Sequence, residues 1–103
     1  MTERNDLWVR IAESALDRGD HLAAFCYARR AAAAPELAPP DRCDACMILT
    51  RLNLALDLPE PALAFAVQSH LTACRVHDAE REGRAAQLVT QVAARYPHLV
   101  CEG

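Results

Sequence analysis

The sequence predicts an all-α protein of five helices, and three observations carry the prediction. Hydrophobic residues make up 52% of the chain but aromatic ones only 5%. Much of the apolar share is alanine, the strongest helix former, while β-branched residues are sparse outside the C-terminal third. Apolar residues recur every three or four positions, the period of one helix face. Glycine and proline punctuate that pattern at intervals of about one helix length, which separates the helices. At 103 residues the length predicts one domain, 1–103, burying roughly 65% of the surface its unfolded chain exposes.

The first helix is read from Leu7, Trp8, Ile11, Ala12, Ala15 and Leu16, with Asn5 or Asp6 as its cap and Gly19 closing it in left-handed geometry. After Gly19-Asp20 the period resumes at once with Leu22, Ala23, Ala24, Tyr27, Ala28 and Ala31 and runs to Pro35. A turn this short makes the two helices antiparallel neighbours, a hairpin over about 5–34. Residues 35–41 hold three prolines and read as a linker ending at a second cap, Asp41. The third helix spans about 42–57, with Cys46, Leu49, Leu52, Asn53 and Leu56 near one face. The fourth opens at Pro59-Glu60-Pro61, where a first-turn proline loses nothing, and carries Leu63, Phe65, Ala66, Val67, His70, Leu71 and Cys74. Together they form a second hairpin over about 42–76. Asp78 caps a fifth helix, about 79–96, whose apolar side is Leu88, Val89, Val92, Ala93 and Tyr96; Gly83 weakens its first turns and Pro97 stops it. The tail from Pro97 is expected to be irregular.

Composition excludes several function classes. Three glycines leave no glycine-rich loop for a phosphate. The net charge is −3, and the eleven basic residues, all arginine, are scattered with no run longer than Arg29-Arg30. Nucleic acid wants a concentrated basic stripe, so it is not an expected partner. No stretch approaches the roughly 18 unbroken apolar residues of a membrane span, and the polar start at Met1–Asp6 lacks the apolar core of a signal peptide. These readings place the protein in the cytoplasm, away from membranes. Five cysteines, an odd number without a secretory signal, read as thiols and not as a disulfide framework.

The first helical pair resembles the tetratricopeptide repeat, whose pattern over about 34 residues is W-x2-L-G-x2-Y, then A-x3-F, then P. Trp8-x2-Ile11-Ala12-x2-Ala15 matches the first helix of that pattern, Gly19-Asp20 falls at its turn, Ala24 takes its small-residue position, and Tyr27, Ala28, Ala31 and Pro35 complete it. Small residues at Ala12 and Ala24 let the helices approach, and Trp8, Ile11 and Tyr27 fill the space around that contact. A second, degenerate copy follows when Ala62, 38 positions on, is set against Ala24. Cys46, Leu49, Thr50 and Asn53 then match Trp8, Ile11, Ala12 and Ala15, and Phe65, Ala66 and Ser69 match Tyr27, Ala28 and Ala31. Cys46 replaces the tryptophan, Asn53 an apolar residue, and Leu58-Pro59 the Gly-Asp turn. The resemblance implies a right-handed stack of two hairpins, with the fifth helix as the capping helix that covers the last apolar face.

It also implies a concave groove that receives a peptide or helix of a partner protein, without catalysis. The family's groove positions fall on Val9, Glu13, Leu16 and Asp17 in the first helix and on Met47, Arg51, Leu54 and Ala55 in the third. That set mixes apolar anchors with charges that orient a ligand. The competing reading is an ordinary amphipathic bundle whose half-exposed Val, Leu and Met side chains form a homodimer contact.

One constellation carries the alternative function, a structural-zinc or metal-sensing protein. Cys43-x2-Cys46 and His70-x3-Cys74-x2-His77 are expected at one end of the second hairpin, with Cys43, Cys46, His70 and Cys74 as the zinc ligands and His77 near them. The plainer reading makes Cys46 a core residue and His70, Cys74 and His77 core and rim positions of one helix. A Cys43/Cys46 redox pair lacks the preceding strand of a thioredoxin-like motif. Cys26 and Cys101 read as inert. Ser14 and Ser69 lack a nucleophile-elbow context, and His21 and His98 fall at a turn and in the tail, so no enzyme is predicted. Glu80, Arg81, Glu82 and Arg84 read as a solvated face, or as a face turned to a partner.

Overall fold

The computed structural model describes residues 2–99, with side chains from Asp6 onward. Five α-helices follow one another: α1 (Thr2–Asp17), α2 (His21–Ala33), α3 (Pro39–Ala55), α4 (Pro59–Arg75) and α5 (Ala79–Arg95). A single 3-10 turn, Pro97–Leu99, gives the expected irregular tail some order. Among the described residues there is no strand, and no helix is long and apolar enough to cross a membrane. The expectation for Cys101 lies outside the described residues.

Each helix packs against the next, and α1 also meets α3 while α3 meets α5. α3 thus touches all four other helices. Its sequence suits that position, because apolar residues surround it instead of forming one stripe; Cys43 and residues 45–50, 52 and 53 are all buried. α5 is the reverse case. It buries Ala85, Leu88 and Val92 on one side and leaves Glu80, Arg84, Gln87 and Gln91 in water, the pattern of an amphipathic surface helix.

Two helix starts differ from the sequence reading. α1 begins at Thr2, so Asn5 and Asp6 lie inside it. An acidic residue is favourable throughout the first turns of a helix, not only at the cap, so Asp6 carries no unique start signal. α3 begins at Pro39, with Pro39 and Pro40 in its first turn, Ala38 as a cap without side-chain hydrogen bond, and Asp41 as the third helical residue. First-turn amides have no partner within the helix, so prolines that appear to extend a linker can open a helix at no cost. The shortened linker is held by Arg42, whose Nη1 and Nη2 donate to the carbonyls of Ala32 and Ala34, each at 2.6 Å. Those carbonyls belong to the end of α2 that the helix itself leaves unpaired.

Three turns share one geometry despite different sequences. Gly19, Asp57 and His77 have φ of 80°, 59° and 57°. After each, the next amide reaches back five residues: Asp20 to Ala15, Leu58 to Asn53, and Asp78 to Ala73. Each left-handed residue itself donates three residues back, to Leu16, Leu54 and Cys74. This is the Schellman closure of a helix, repeated three times. The Gly-Asp turn is therefore matched by Leu56-Asp57-Leu58 and by Val76-His77-Asp78.

The interior is built from alanine. Ala12, Ala15, Ala24, Ala28, Ala31, Ala45, Ala62, Ala66, Ala73 and Ala85 are all buried, with Leu49, Leu52 and Val92 among the larger side chains between them. Several leucines expected on apolar faces instead lie outside: Leu7, Leu22, Leu56 and Leu71 are more than half exposed, and Val67 is also exposed. Close helix approach selects the smallest side chain for the seam and displaces the larger ones to its flanks. The two buried polar side chains of α3 are tolerated because they bond locally. Thr50 Oγ1 donates to the Cys46 carbonyl at 2.9 Å and Asn53 Nδ2 to the Leu49 carbonyl at 2.7 Å, one turn back on α3.

Candidate functional site

A recess of about 230 Å³ opens between α1 and α3. Glu13, Leu16 and Asp17 line it from α1, Asp44, Met47, Ile48 and Arg51 from α3, and Arg84 from α5. Met47 and Ile48 form an almost buried apolar floor, Leu16 a half-buried wall, and the charged side chains a rim. Five of the eight expected groove residues meet here: Glu13, Leu16, Asp17, Met47 and Arg51.

Val9 and Leu54 do not line the recess. Val9 is 2% exposed within the core of Ala12, Ala15, Ala45 and Leu49. Leu54 packs toward Ala62, Val92 and Tyr96. Ala55 is exposed and outside the lining. Residues seven apart on a helix drift by roughly 20°, so a stripe extended one heptad beyond the recess turns into a neighbouring seam. Three lining residues, Asp44, Ile48 and Arg84, lie outside the expected groove set. Asp44 and Ile48 were accessible in principle, lying three residues before and one after Met47; Arg84 had no local signal, since only the packing of α5 on α3 brings it in.

A clamp holds the α5 end of this site. Arg81 donates from Nε and Nη2 to the two oxygens of Asp44, both at 2.9 Å, and from Nη1 to Asp78 Oδ2 at 2.9 Å. Asp78 Oδ1 also accepts the Arg81 backbone amide at 3.1 Å, capping α5 as expected. Such forked guanidinium–carboxylate bonds fix orientation as well as proximity. They raise the Arg81 pKa further above its ordinary value, and the same amide and guanidinium hold the Asp78 carboxyl below the usual range. Of the four charged residues expected on a solvated face, Arg81 is thus an internal tie; Glu80 and Arg84 pair with one another at 3.3 Å in water.

Elsewhere on the recess negative charge is in excess. Partial burial pushes the Glu13 carboxyl up, and the charges of Asp44 and Asp17 add to it against the opposing pull of Arg10 and Arg81. Next to the site, burial and the neighbouring Asp6 push the Asp41 carboxyl up as well. A carboxylate in this state gains most from a cationic group brought by a ligand.

The expected zinc ligands separate into two groups. Cys43 and Cys46 are buried. Cys43 is tied to Ser69 of α4: the Sγ lies 3.0 Å from Ser69 Oγ, while Ser69 Oγ donates to the Cys43 carbonyl at 3.1 Å. Burial raises the Cys43 thiol pKa and pushes that of Cys46 up to about 11. Both are core thiols. His70 and Cys74 do meet, with Cys74 Sγ 3.8 Å from Nδ1 and 3.9 Å from Nε2. Their third partner is Glu82 of α5, not a cysteine: ligand atoms of His70, Cys74 and Glu82 all lie within 4.8 Å of one another, the one such trio among the described residues. Partial burial and the Glu82 carboxylate raise the Cys74 thiol pKa. His77 is exposed at the left-handed turn position. Cys26 is an exposed thiol.

A second recess, of about 240 Å³, is almost wholly apolar and is lined by His21, Leu22, Phe25, Leu52 and Leu56. His98, in the tail, stacks edge-on against Tyr96 at 6.2 Å. Comparison with protein families, with curated proteins and with solved structures finds no match to this chain.

Proposed function

We propose that this chain is a non-catalytic, tetratricopeptide-like interaction module that holds a short segment of a partner protein in the recess between α1 and α3. The observation that carries the reading is the convergence of an apolar floor, Met47 and Ile48, and an apolar wall, Leu16, with a rim of opposite charges from three helices. The segment seats one apolar side chain on that floor and sets a lysine or arginine against Glu13 and Asp17, where carboxylates are under-compensated. Arg51 and Arg84 select an acidic or carbonyl group on the other side. The repeat reading is supported by the recurrence of one turn geometry at Gly19 and Asp57, at the same spacing as Ala24 and Ala62, and by the contacts of α1, α3 and α5 in succession. The described cysteines are free thiols, which fits a reducing compartment such as the cytoplasm.

The test is selection from a displayed peptide library, followed by calorimetric titration of the selected peptides. Selected sequences should share an apolar residue beside a basic one, and Glu13→Lys with Asp17→Lys should weaken binding at least about tenfold, on the scale of losing a charge-assisted contact. Peptides that bind the double variant as well as the native chain would sink the recess as the binding site. Concentration-dependent sedimentation abolished by the same variant would identify a second copy of the chain as the occupant.

A further inference from the structure

We infer that His70, Cys74 and Glu82 form a three-ligand site for a divalent transition metal of the zinc class, placed across the seam between α4 and α5. His70 and Cys74 stand one turn apart on α4, and Glu82 approaches from the first turns of α5. One nitrogen, one sulfur and one oxygen donor therefore converge from two helices. This differs from a chance pair along one helix, because the third donor depends on tertiary packing.

The distances suit zinc. A tetrahedral centre with Zn–S of about 2.3 Å and Zn–N of about 2.0 Å separates the two donors by roughly 3.5 Å. The ion would take one of the two ring nitrogens; the sulfur–nitrogen distances of 3.8 and 3.9 Å are a few tenths of an ångström longer than that value, a gap that a turn of the His70 ring closes. The donor set excludes calcium and magnesium, which want oxygen ligands, and suits a borderline-soft ion. Thiolate and carboxylate supply two negative charges, matched by a dication; binding transfers the Cys74 proton to solvent as the metal–sulfur bond forms.

The site is pre-positioned by bonds outside it. Arg81, adjacent to Glu82, is fixed to Asp44 and Asp78, and this locks the first turn of α5. The Asp78 amide closes α4 by reaching the Ala73 carbonyl at 3.0 Å, which locks the last turn of α4 next to Cys74. All three donor residues are partly exposed, so an ion can enter, and three ligands leave a fourth position for water or an incoming group. A recess of about 250 Å³ lined by His70, Ala86, Val89 and Thr90 lies beside it.

The experiment is titration of the full chain, reduced, with zinc and with cobalt(II). Binding is read by elemental analysis after dialysis and by the cobalt–thiolate absorption. One equivalent per chain is expected, with affinity falling about tenfold or more in each of His70→Ala, Cys74→Ser and Glu82→Gln, and unchanged in Cys26→Ser and Cys101→Ser. Zinc should also slow alkylation of Cys74 in the native chain, a readout that requires no variant to fold. Absence of stoichiometric binding, binding that survives both His70→Ala and Cys74→Ser, loss of binding in Cys101→Ser, or unchanged alkylation of Cys74 would each overturn the site.

Discussion

Glu13 illustrates how one side chain reports on the recess. Its carboxyl is pushed up first by partial burial and then by Asp44, so its charged form is less favoured in the folded state than in the unfolded chain. A carboxyl with a raised folded-state pKa opposes folding above that pKa and is neutral in its effect below the ordinary value of 4.5. Glu13→Gln is therefore expected to raise the denaturation midpoint at pH 7, by less than about 0.5 kcal/mol because the side chain remains largely solvated. The difference should vanish by about pH 3, where Glu13 is protonated in both states. Chemical denaturation of both proteins across that range checks it; a gain that persists at low pH would assign the effect to packing and not to charge. Ligand binding through Glu13 should weaken as pH falls through the same raised pKa.

At the scale of elements, the turns are decided by backbone geometry more than by residue type. Gly19 enters the left-handed region freely, whereas Asp57 and His77 pay for a Cβ there. His77→Gly should stabilise the chain by about 1 kcal/mol, or roughly 4–8 °C in Tm, with helix content unchanged by circular dichroism. Asp57→Gly should gain less or lose, because Asp57 also accepts the Tyr96 hydroxyl and lies 3.4 Å from Arg95 Nη2, which ties the α3–α4 turn to the end of α5. Equal stabilisation at both positions would show that these side-chain bonds contribute nothing. The starts of α1 and α3 follow the same logic: prolines and acidic residues are compatible with several first-turn positions, so composition locates a helix end only to within a turn.

For the molecule as a whole, the close spacing of helices sets tolerance to change. The Cα radius of gyration of 13.2 Å matches a compact chain of about 100 residues. The fully buried alanines leave no room at the seams. Ala24→Leu should cost about 1–3 kcal/mol through overpacking, read as a lower denaturant midpoint, although it adds apolar surface. A stabilised Ala24→Leu would contradict the close approach of helices on which the recess depends. Leu22, 75% exposed, should by contrast accept a polar residue with little loss of stability.

The sequence by itself determined that the chain is helical, how many helices it has and nearly where they stop, because these depend on local propensity, a 3.6-residue period and breakers. The resemblance to the repeat family pointed to Glu13, Leu16, Asp17, Met47 and Arg51, which line one recess, and equally to Val9, Leu54 and Ala55, which do not. What tertiary structure alone decided was everything that crosses between helices. The choice of alanine over leucine for the seams, the arrival of Arg84 at the recess, the conversion of Arg81 from surface charge to clamp, and the replacement of Cys43 and Cys46 by Glu82 beside His70 and Cys74 all depend on interhelical rotation. Helical periodicity fixes an angle within one helix; only packing fixes the angle of one helix relative to another.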